Sequence, residues 1–206
     1  DHRLRHGGSV STEQSRGRAS VEERLVSAAA EMIAEVGPRA ATVRAVASRA
    51  GVNHGLVHHY FGSKDALLRA AMTHLVHEHA RFATEQSQGR PTPAPLALLQ
   101  DQAYLRAVVR CVLDGEMELA TTELAEGVSM PRRALEHAEQ RSGSPADTRL
   151  KARVATGMAL EMGWAALEPF IAAVTGTKPA ELAELRREAI AIRNAVVKGD
   201  AEVTRR

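Results

Sequence analysis

Glycine residues at short intervals divide the N-terminal third of the chain into helical segments of limited length. Gly37, Gly51 and Gly62 each follow apolar residues at helical spacing, and Pro38 directly follows the first of these glycines. Glycine is unfavourable inside a helix and proline cannot continue one, so these positions predict helix ends. The interval between Gly37 and Gly62 therefore has room for two helices of only about two turns each.

Each segment has an apolar face and a polar residue at its start. The apolar positions of the first segment form one stripe of a helix: Leu25, Ala29, Met32, Ile33 and Val36. The residues that can accept hydrogen bonds from the free N–H groups of a first turn are Ser20, Thr42, Asn53 and Ser63. These features predict four helices over about 21–36, 43–50, 54–61 and 64–85.

The rest of the chain is also predicted to be helical. Aromatic residues make up only 3% of the 206 residues, so the core is built from Ala, Leu, Val and Met, which favours helices over sheets. The proline-rich segment Gly89–Pro95 indicates a linker. Further helices are predicted over about 95–113, 116–126, 131–140 and 146–174, and from about 182 onward.

The tight turn Ala50-Gly51-Val52 between the two short helices is typical of a helix-turn-helix, whose last helix fits a major groove about 12 Å wide. If the apolar residues of that helix pack inward, the outward positions are Asn53, His54, Gly55, His58 and His59. The alternative is a helical hairpin that binds no ligand. We expect an all-α protein with a flexible arm over 1–20, a helix-turn-helix domain over 21–66 and a helical bundle over 67–206.

The charge distribution fits a surface that faces nucleic acid. The stretch Gly37–Lys64 holds four Lys or Arg residues, three histidines and no acid. Such a run suits contact with phosphate, although a solvated basic face would have the same composition.

Other sequence features exclude several classes of site. A single cysteine, Cys111, cannot form an internal disulfide, and its apolar surroundings predict burial. Paired cysteines, an HExxH motif and glycine-rich phosphate loops do not occur, so we expect no metal and no cofactor. His74, His77 and His79 are predicted to be solvated. The apolar stretch Val154–Val174 contains two glutamates and predicts a buried helix rather than a membrane span. The expected location is the cytoplasm.

The run TVRAVASRAGVNHGLVHHYFGSKDALLRAA, from Thr42 to Ala71, resembles the DNA-binding signature of TetR-type transcriptional regulators. Its most specific elements are AGV at the turn, Gly55, the Tyr60-Phe61 pair and SKDALL. The resemblance implies a ligand-responsive regulator and not an enzyme. It further implies a homodimer that binds double-stranded DNA at a palindromic operator and is released by a small, largely apolar effector.

The resemblance also implies roles for matching residues. Thr42, Tyr60 and Lys64 would contact phosphates, and Arg44 would reach a phosphate or a base. His54 and Gly55 would lie at the end of the recognition helix that enters the groove. Leu56 and His58 depart from the residues frequent in the family, which leaves the operator sequence open.

The effector site is predicted around an apolar face of the long helix near residue 160. Its predicted residues are Met117, Met158, Glu161, Met162, Trp164 and Phe170, because methionine adapts to varied apolar ligands. For each methionine, plain core packing is the alternative. For Glu161 the alternatives are an ion pair with a neighbouring helix or simple exposure. The small residues Ala155, Ala159, Gly163 and Ala166 are predicted to pack against the last helix and against its copy in a second subunit.

Two other function classes remain open at this point. A helical adaptor that only binds proteins would leave the acid-free stretch without a purpose. A small helical enzyme would need a polar cluster that the sequence does not offer. Neither alternative accounts for the ordered motif from Thr42 to Ala71.

Overall fold

The computed structural model describes residues 9–90 and 92–198, and all regular elements in those ranges are helical, as predicted. The α-helices are α1 (Ser9–Val36), α2 (Val43–Arg49), α3 (Gly55–Phe61), α4 (Lys64–Ser87), α5 (Gln102–Leu113), α6 (Met117–Ala120), α7 (Thr122–Ala125), α8 (Met130–Ser142), α9 (Thr148–Val174) and α10 (Leu182–Lys198). Short 3-10 turns precede α5 at Ala97–Gln100 and α10 at Pro179–Glu181.

The chain forms two compact units. The first unit holds the described residues up to Leu75 together with Arg106–Thr122, and the second holds Val76–Leu105 and the described residues from Glu123 onward. Helices α4 and α5 each begin in one unit and end in the other. This division differs from the predicted boundary after residue 66, because a later segment packs with the N-terminal helices. The assignment of residues 21–66 as the helix-turn-helix domain that binds DNA stays a prediction.

The core of the first unit is aliphatic. Its most deeply buried large side chains are Leu25, Ile33, Val46, Val57, Leu67 and Met72. The predicted stripe on α1 is thus confirmed with one exception, because Val36 is 44% exposed. Val36 is the last residue of α1, where the chain turns at Gly37 and leaves the side chain uncovered.

Two of the predicted N-caps are confirmed by side-chain hydrogen bonds. Thr42 Oγ1 accepts from the Ala45 N–H at 3.2 Å, and Ser63 Oγ accepts from the Ala66 N–H at 3.1 Å. The N-cap of α3 is His54 rather than the predicted Asn53, whose Oδ1 nevertheless accepts from the Gly55 N–H at 2.8 Å. Each bond satisfies one of the N–H groups that a helix start leaves without an intrahelical partner.

The start of α1 differs from the prediction. The helix begins at Ser9 and not after Ser20, so the predicted flexible arm is wrong for residues 9–20. Proline is absent from this stretch, and its Glu, Gln, Arg and Ala residues favour a helix enough to offset Gly17. The remainder of that predicted arm lies outside the described residues.

In the second unit α9 and α10 run antiparallel, and two ion pairs connect them. Glu168 accepts hydrogen bonds from Arg186 at 2.5 and 2.7 Å, and Glu161 lies 3.1 Å from Arg193 Nε. Gly157 on α9 faces α10, because an added Cβ there would lie 2.9 Å from a methyl group of Val197. The carboxylates of α9 therefore face α10.

This arrangement corrects two predictions about α9. The small residues Ala155, Ala159 and Ala166 are exposed and do not face α10, because the face with Gly157 and the glutamates occupies that contact. The helix is also not buried within one chain. It is long and apolar enough to cross a membrane by length and composition, yet only 17% of its most apolar window is buried.

We expect Glu168→Gln to lower the free energy of unfolding by about 1–3 kcal/mol, because a neutral amide leaves the Arg186 guanidinium without its counter-charge. Urea unfolding at fixed protein concentration measures this loss. The exposed Glu188→Gln on α10 removes the same charge and serves as the control.

The loss should depend on pH in a defined direction. The hydrogen bond from Arg186 holds the pKa of Glu168 below its ordinary value, with a further contribution from Trp164 and against the effect of burial. The stabilisation is therefore complete above the glutamate pKa of the unfolded chain, about 4.3, and disappears as the pH falls through the lower folded-state pKa. A gap between wild type and E168Q that is unchanged at acid pH would contradict this account.

Candidate nucleic-acid interface

Helix α3 separates apolar and polar side chains as the sequence predicts. Val57 is buried, and Leu56, Tyr60 and Phe61 are half-buried. The predicted outward residues are all exposed: Asn53, His54, Gly55, His58 and His59. A short helix thus presents polar donors and one glycine on a single accessible surface.

The turn between α2 and α3 has a fixed geometry. Gly51 adopts a φ of +66°, a left-handed conformation that favours glycine. Its N–H donates to the Ser48 carbonyl at 3.1 Å, and the Val52 N–H donates to the Ala47 carbonyl at 3.0 Å. These bonds satisfy the free carbonyls at the end of α2 in the manner of a Schellman motif. The direction of α3 is therefore set by backbone hydrogen bonds as well as by packing.

The basic residues of the acid-free stretch include one that has acidic partners on another helix. Arg44 and Arg49 are both exposed, but Arg49 donates to Glu35 at 2.6 Å and lies 3.6 Å from Glu31. The hydrogen bond from Arg49 holds the pKa of Glu35 below its ordinary value. The stretch is thus free of acids in sequence but not in space, and Arg49 fastens α2 to α1.

The residues matched to phosphate contacts take varied positions. Thr42 is exposed at the start of α2, while Tyr60 is half-buried and its ring meets the ring of His59 edge to face at 5.0 Å. Lys64 is half-buried and its Nζ donates to the Arg39 carbonyl at 3.2 Å. Contacts of these side chains with DNA remain predictions.

The predicted effector residues do not share one environment. Met117 lies on α6 in the first unit and is 54% exposed, while Met158 and Phe170 on α9 are 43% and 61% exposed. Met162 is half-buried, and so is Trp164, whose Nε1 donates to Glu168 at 2.8 Å.

Glu161 has protein partners in the second unit. Its carboxylate accepts from the Leu96 N–H at 2.6 Å and pairs with Arg193, which is the ion-pair alternative given by the sequence. Burial raises the pKa of Glu161, and the Arg193 charge and the Leu96 hydrogen bond oppose that rise.

Histidines on α4 take part in polar pairs. His77 pairs with Glu126 at 2.9 Å, and His79 pairs with Asp101 at 2.8 Å. The prediction that these histidines are solvated is wrong for His79, whose side chain is only 12% exposed because it stacks on Tyr104 with ring centroids 3.7 Å apart. Among residues 9–90 and 92–198, no group of three His, Cys, Asp or Glu side chains is placed to hold a metal ion.

Cys111 is fully buried, as predicted, and burial raises the pKa of its thiol to about 12. The protonated thiol therefore packs as a small apolar side chain rather than acting as a nucleophile.

Sequence reasoning missed a polar cluster in the second unit. The Tyr104 hydroxyl donates to Glu123 at 2.5 Å, and the buried Ser129 donates to the other oxygen of Glu123 at 2.8 Å. Burial raises the pKa of Tyr104, and the Glu123 charge acts in the same direction. These residues come from three separate segments, so no spacing in the sequence indicates their association.

Comparisons with known proteins place this chain in a family. The sequence model described as "Bacterial regulatory proteins, tetR family" matches residues 25–71. The HTH-type transcriptional repressor Rv3405c of Mycobacterium tuberculosis is 31% identical over 170 residues, which are 82% of this chain and 85% of the relative. The chain belongs to the TetR family: it is a DNA-binding transcriptional regulator and not an enzyme.

Solved structures of the same family share the fold. A TetR-family transcriptional regulator from Streptomyces coelicolor has a TM-score of 0.59 at 19% identity, covering 89% of this chain and 82% of its own. A TetR-family regulator from Rhodococcus sp. has a TM-score of 0.56 at 19% identity, covering 87% and 99%. The helical architecture is therefore common to proteins whose sequences have diverged widely.

We expect Gly55→Ala to separate DNA binding from stability. The backbone of Gly55 is not left-handed, and an added Cβ would meet only Asn53 Oδ1 at 3.3 Å, which belongs to an exposed side chain. The free energy of unfolding should therefore change by no more than about 0.5 kcal/mol. Affinity for operator DNA, measured by fluorescence anisotropy, should fall about tenfold or more if this backbone lies against the groove. Unchanged affinity would contradict a close approach at Gly55.

Proposed function

We propose that the protein is a homodimeric repressor that binds a palindromic operator and leaves it when a small, largely apolar effector binds. The exposed polar surface of α3, on a helix-turn-helix fixed by Gly51, is the observation that carries the proposal. The name of the Mycobacterium tuberculosis relative, a transcriptional repressor, supports repression over activation. A protein of this function acts where the chromosome is, so we place it in the cytoplasm.

The exposed face of α9 supports the dimer. Large apolar side chains on this helix are accessible to solvent at high fractions, at Met158, Leu160, Leu167, Phe170 and Val174. The exposed alanines at 155, 159 and 166 lie among them and would let a second helix approach closely. Monomeric proteins seldom leave such a surface uncovered. In a two-fold dimer the same face of each chain would cover the other.

The dimer gives the DNA-binding surface its specificity. Two copies of α3 related by a two-fold axis would enter successive major grooves about 34–36 Å apart. The exposed residues at and before α3, which form the recognition surface, would read base edges there: Asn53, His54, Gly55, His58 and His59. Thr42, Arg44, Tyr60 and Lys64 would contact phosphates. The operator would then be a palindrome whose half-sites lie one helical turn apart.

The effector is proposed to act through the second unit. Met162 and Trp164 are half-buried on α9 beside the Glu161 and Glu168 ion pairs, and they are the predicted residues best placed to respond to an apolar ligand. Helix α4 begins at Lys64 in the first unit and ends in the second, so it is the proposed route by which the effector changes the separation of the recognition helices.

The dimer is tested by Ala166→Arg. The wild-type protein should sediment as a dimer, and A166R as a monomer, because two guanidinium groups would face each other across the two-fold axis. Operator affinity should fall by about 100-fold or more, since each half-site then binds alone. Gln140→Arg on α8 adds the same charge at an exposed position and should change neither property. A dimeric A166R with normal affinity would exclude this face as the interface.

The effector is tested with Trp164, the single tryptophan of the chain. In a panel of apolar compounds, those that release labelled operator DNA should change tryptophan fluorescence over the same concentration range. Trp164 is on α9, the helix proposed to line the site, and its indole N–H donates to Glu168. A ligand bound there would change the surroundings of the indole ring and therefore its fluorescence. Release of DNA without any change in fluorescence would place the effector away from α9.

A further inference from the structure

The loop between α1 and α2 is held at three points, and all three involve Arg39. Its backbone N–H donates to Asp114 Oδ2 at 3.3 Å, and its carbonyl accepts from Lys64 Nζ at 3.2 Å. Its guanidinium Nε lies 3.6 Å from Glu116 Oε1. Only two residues separate Arg39 from Thr42, the N-cap of α2, so these contacts fix the entry to the helix-turn-helix.

Close packing at Gly37 reinforces the contact with Asp114. Gly37 is buried and has a φ of +87°, and an added Cβ would lie 2.6 Å from Asp114 Oδ2. The left-handed backbone favours glycine, and any side chain at this position would have to displace the Asp114 carboxylate. The Asp114 carboxylate therefore lies against the loop backbone rather than reaching it across solvent.

Asp114 itself is attached to a rigid support. It follows the last residue of α5, and its N–H donates to the Arg110 carbonyl at 2.9 Å. Gly115 has a φ of +76°, and the Glu116 N–H donates to the backbone carbonyl of the fully buried Cys111 at 2.8 Å. These hydrogen bonds fix the backbone that carries the Asp114 carboxylate at the end of α5.

We propose that Asp114 is a positioning residue for DNA binding: it holds the Arg39 peptide and, through the loop, the orientation of α2 and of α3 packed against it. The proposal rests on the proposed function, since it concerns how well the recognition surface fits operator DNA. Helix α5 begins in the second unit, so Asp114 also joins the loop between α1 and α2 to a helix that begins there.

Three variants separate positioning from charge. Asp114→Ala removes both the acceptor and the charge, whereas Asp114→Asn keeps an oxygen that can accept from the Arg39 N–H. Glu118→Ala is the matched control, because Glu118 is an exposed carboxylate on neighbouring α6 and its loss removes the same charge. Affinity for operator DNA and its dependence on salt are measured well below each melting temperature.

We expect D114A to bind operator DNA about 5- to 20-fold more weakly, with a shallower salt dependence because fewer phosphates are engaged. D114N should stay within about twofold of wild type, and E118A should bind as wild type or slightly more tightly. Equal affinities for D114A and E118A would overturn the proposal, and so would equal losses in D114A and D114N. If wild type itself does not prefer operator DNA, the proposed function fails before any variant is compared.

Amide hydrogen exchange of the wild-type protein gives a second test that does not require D114A to fold. The Arg39 N–H should exchange slowly, at a rate close to that of the Asp114 N–H at the end of α5. Exchange of Arg39 at the rate of an open surface loop would overturn the proposal.

Discussion

The candidate DNA-binding surface on α3 depends on the burial of a few aliphatic side chains beneath two very short helices. Helices α2 and α3 have seven residues each, and isolated helices of this length are not stable in water. Val46 and Val57 are almost completely buried, and each such side chain contributes roughly 1.5–3 kcal/mol. Packing of α2 against α1 and α3 is therefore what gives the exposed residues of α3 a defined position.

Polar contacts around that core orient the helices, because aliphatic packing alone has little directional preference. The hydrogen bonds around Gly51 fix the turn, and Arg49 joins α2 to two glutamates of α1. Asp114 and Lys64 hold the loop that precedes α2, the first at the Arg39 N–H and the second at the Arg39 carbonyl. Arg49 and Lys64 thus make contacts within the protein, while the histidines of α3, Asn53 and Arg44 are exposed.

The sequence was most informative where local chemistry decides the structure. Positive φ at Gly51 and Gly62 and side-chain caps at Thr42 and Ser63 depend on residues close in the chain, and they predicted the short helices well. Apolar spacing likewise identified the exposed side of α3. The same reasoning could not detect the helical start of α1, because no stop signal marks the boundary and propensity differences there are small.

Features that depend on distant segments were not predictable. Periodicity assigned two apolar faces to α9, but only the position of α10 decides that Gly157 and the glutamates are the covered side. The partner of Arg49 lies on another helix, and the contact between Asp114 and the Arg39 peptide joins residues 75 positions apart. The effector residues share this difficulty, because a row of methionines is compatible with either a core or a ligand site.

The most direct test of the account compares binding to DNA that flanks the gene encoding this protein with binding to random DNA, at two salt concentrations. The account predicts a preference of about a thousandfold or more for one palindromic fragment, two chains bound per site, and affinity that falls steeply with salt. Equal affinity for both DNAs at each salt concentration, or no binding by a folded dimer, would contradict a sequence-specific regulator.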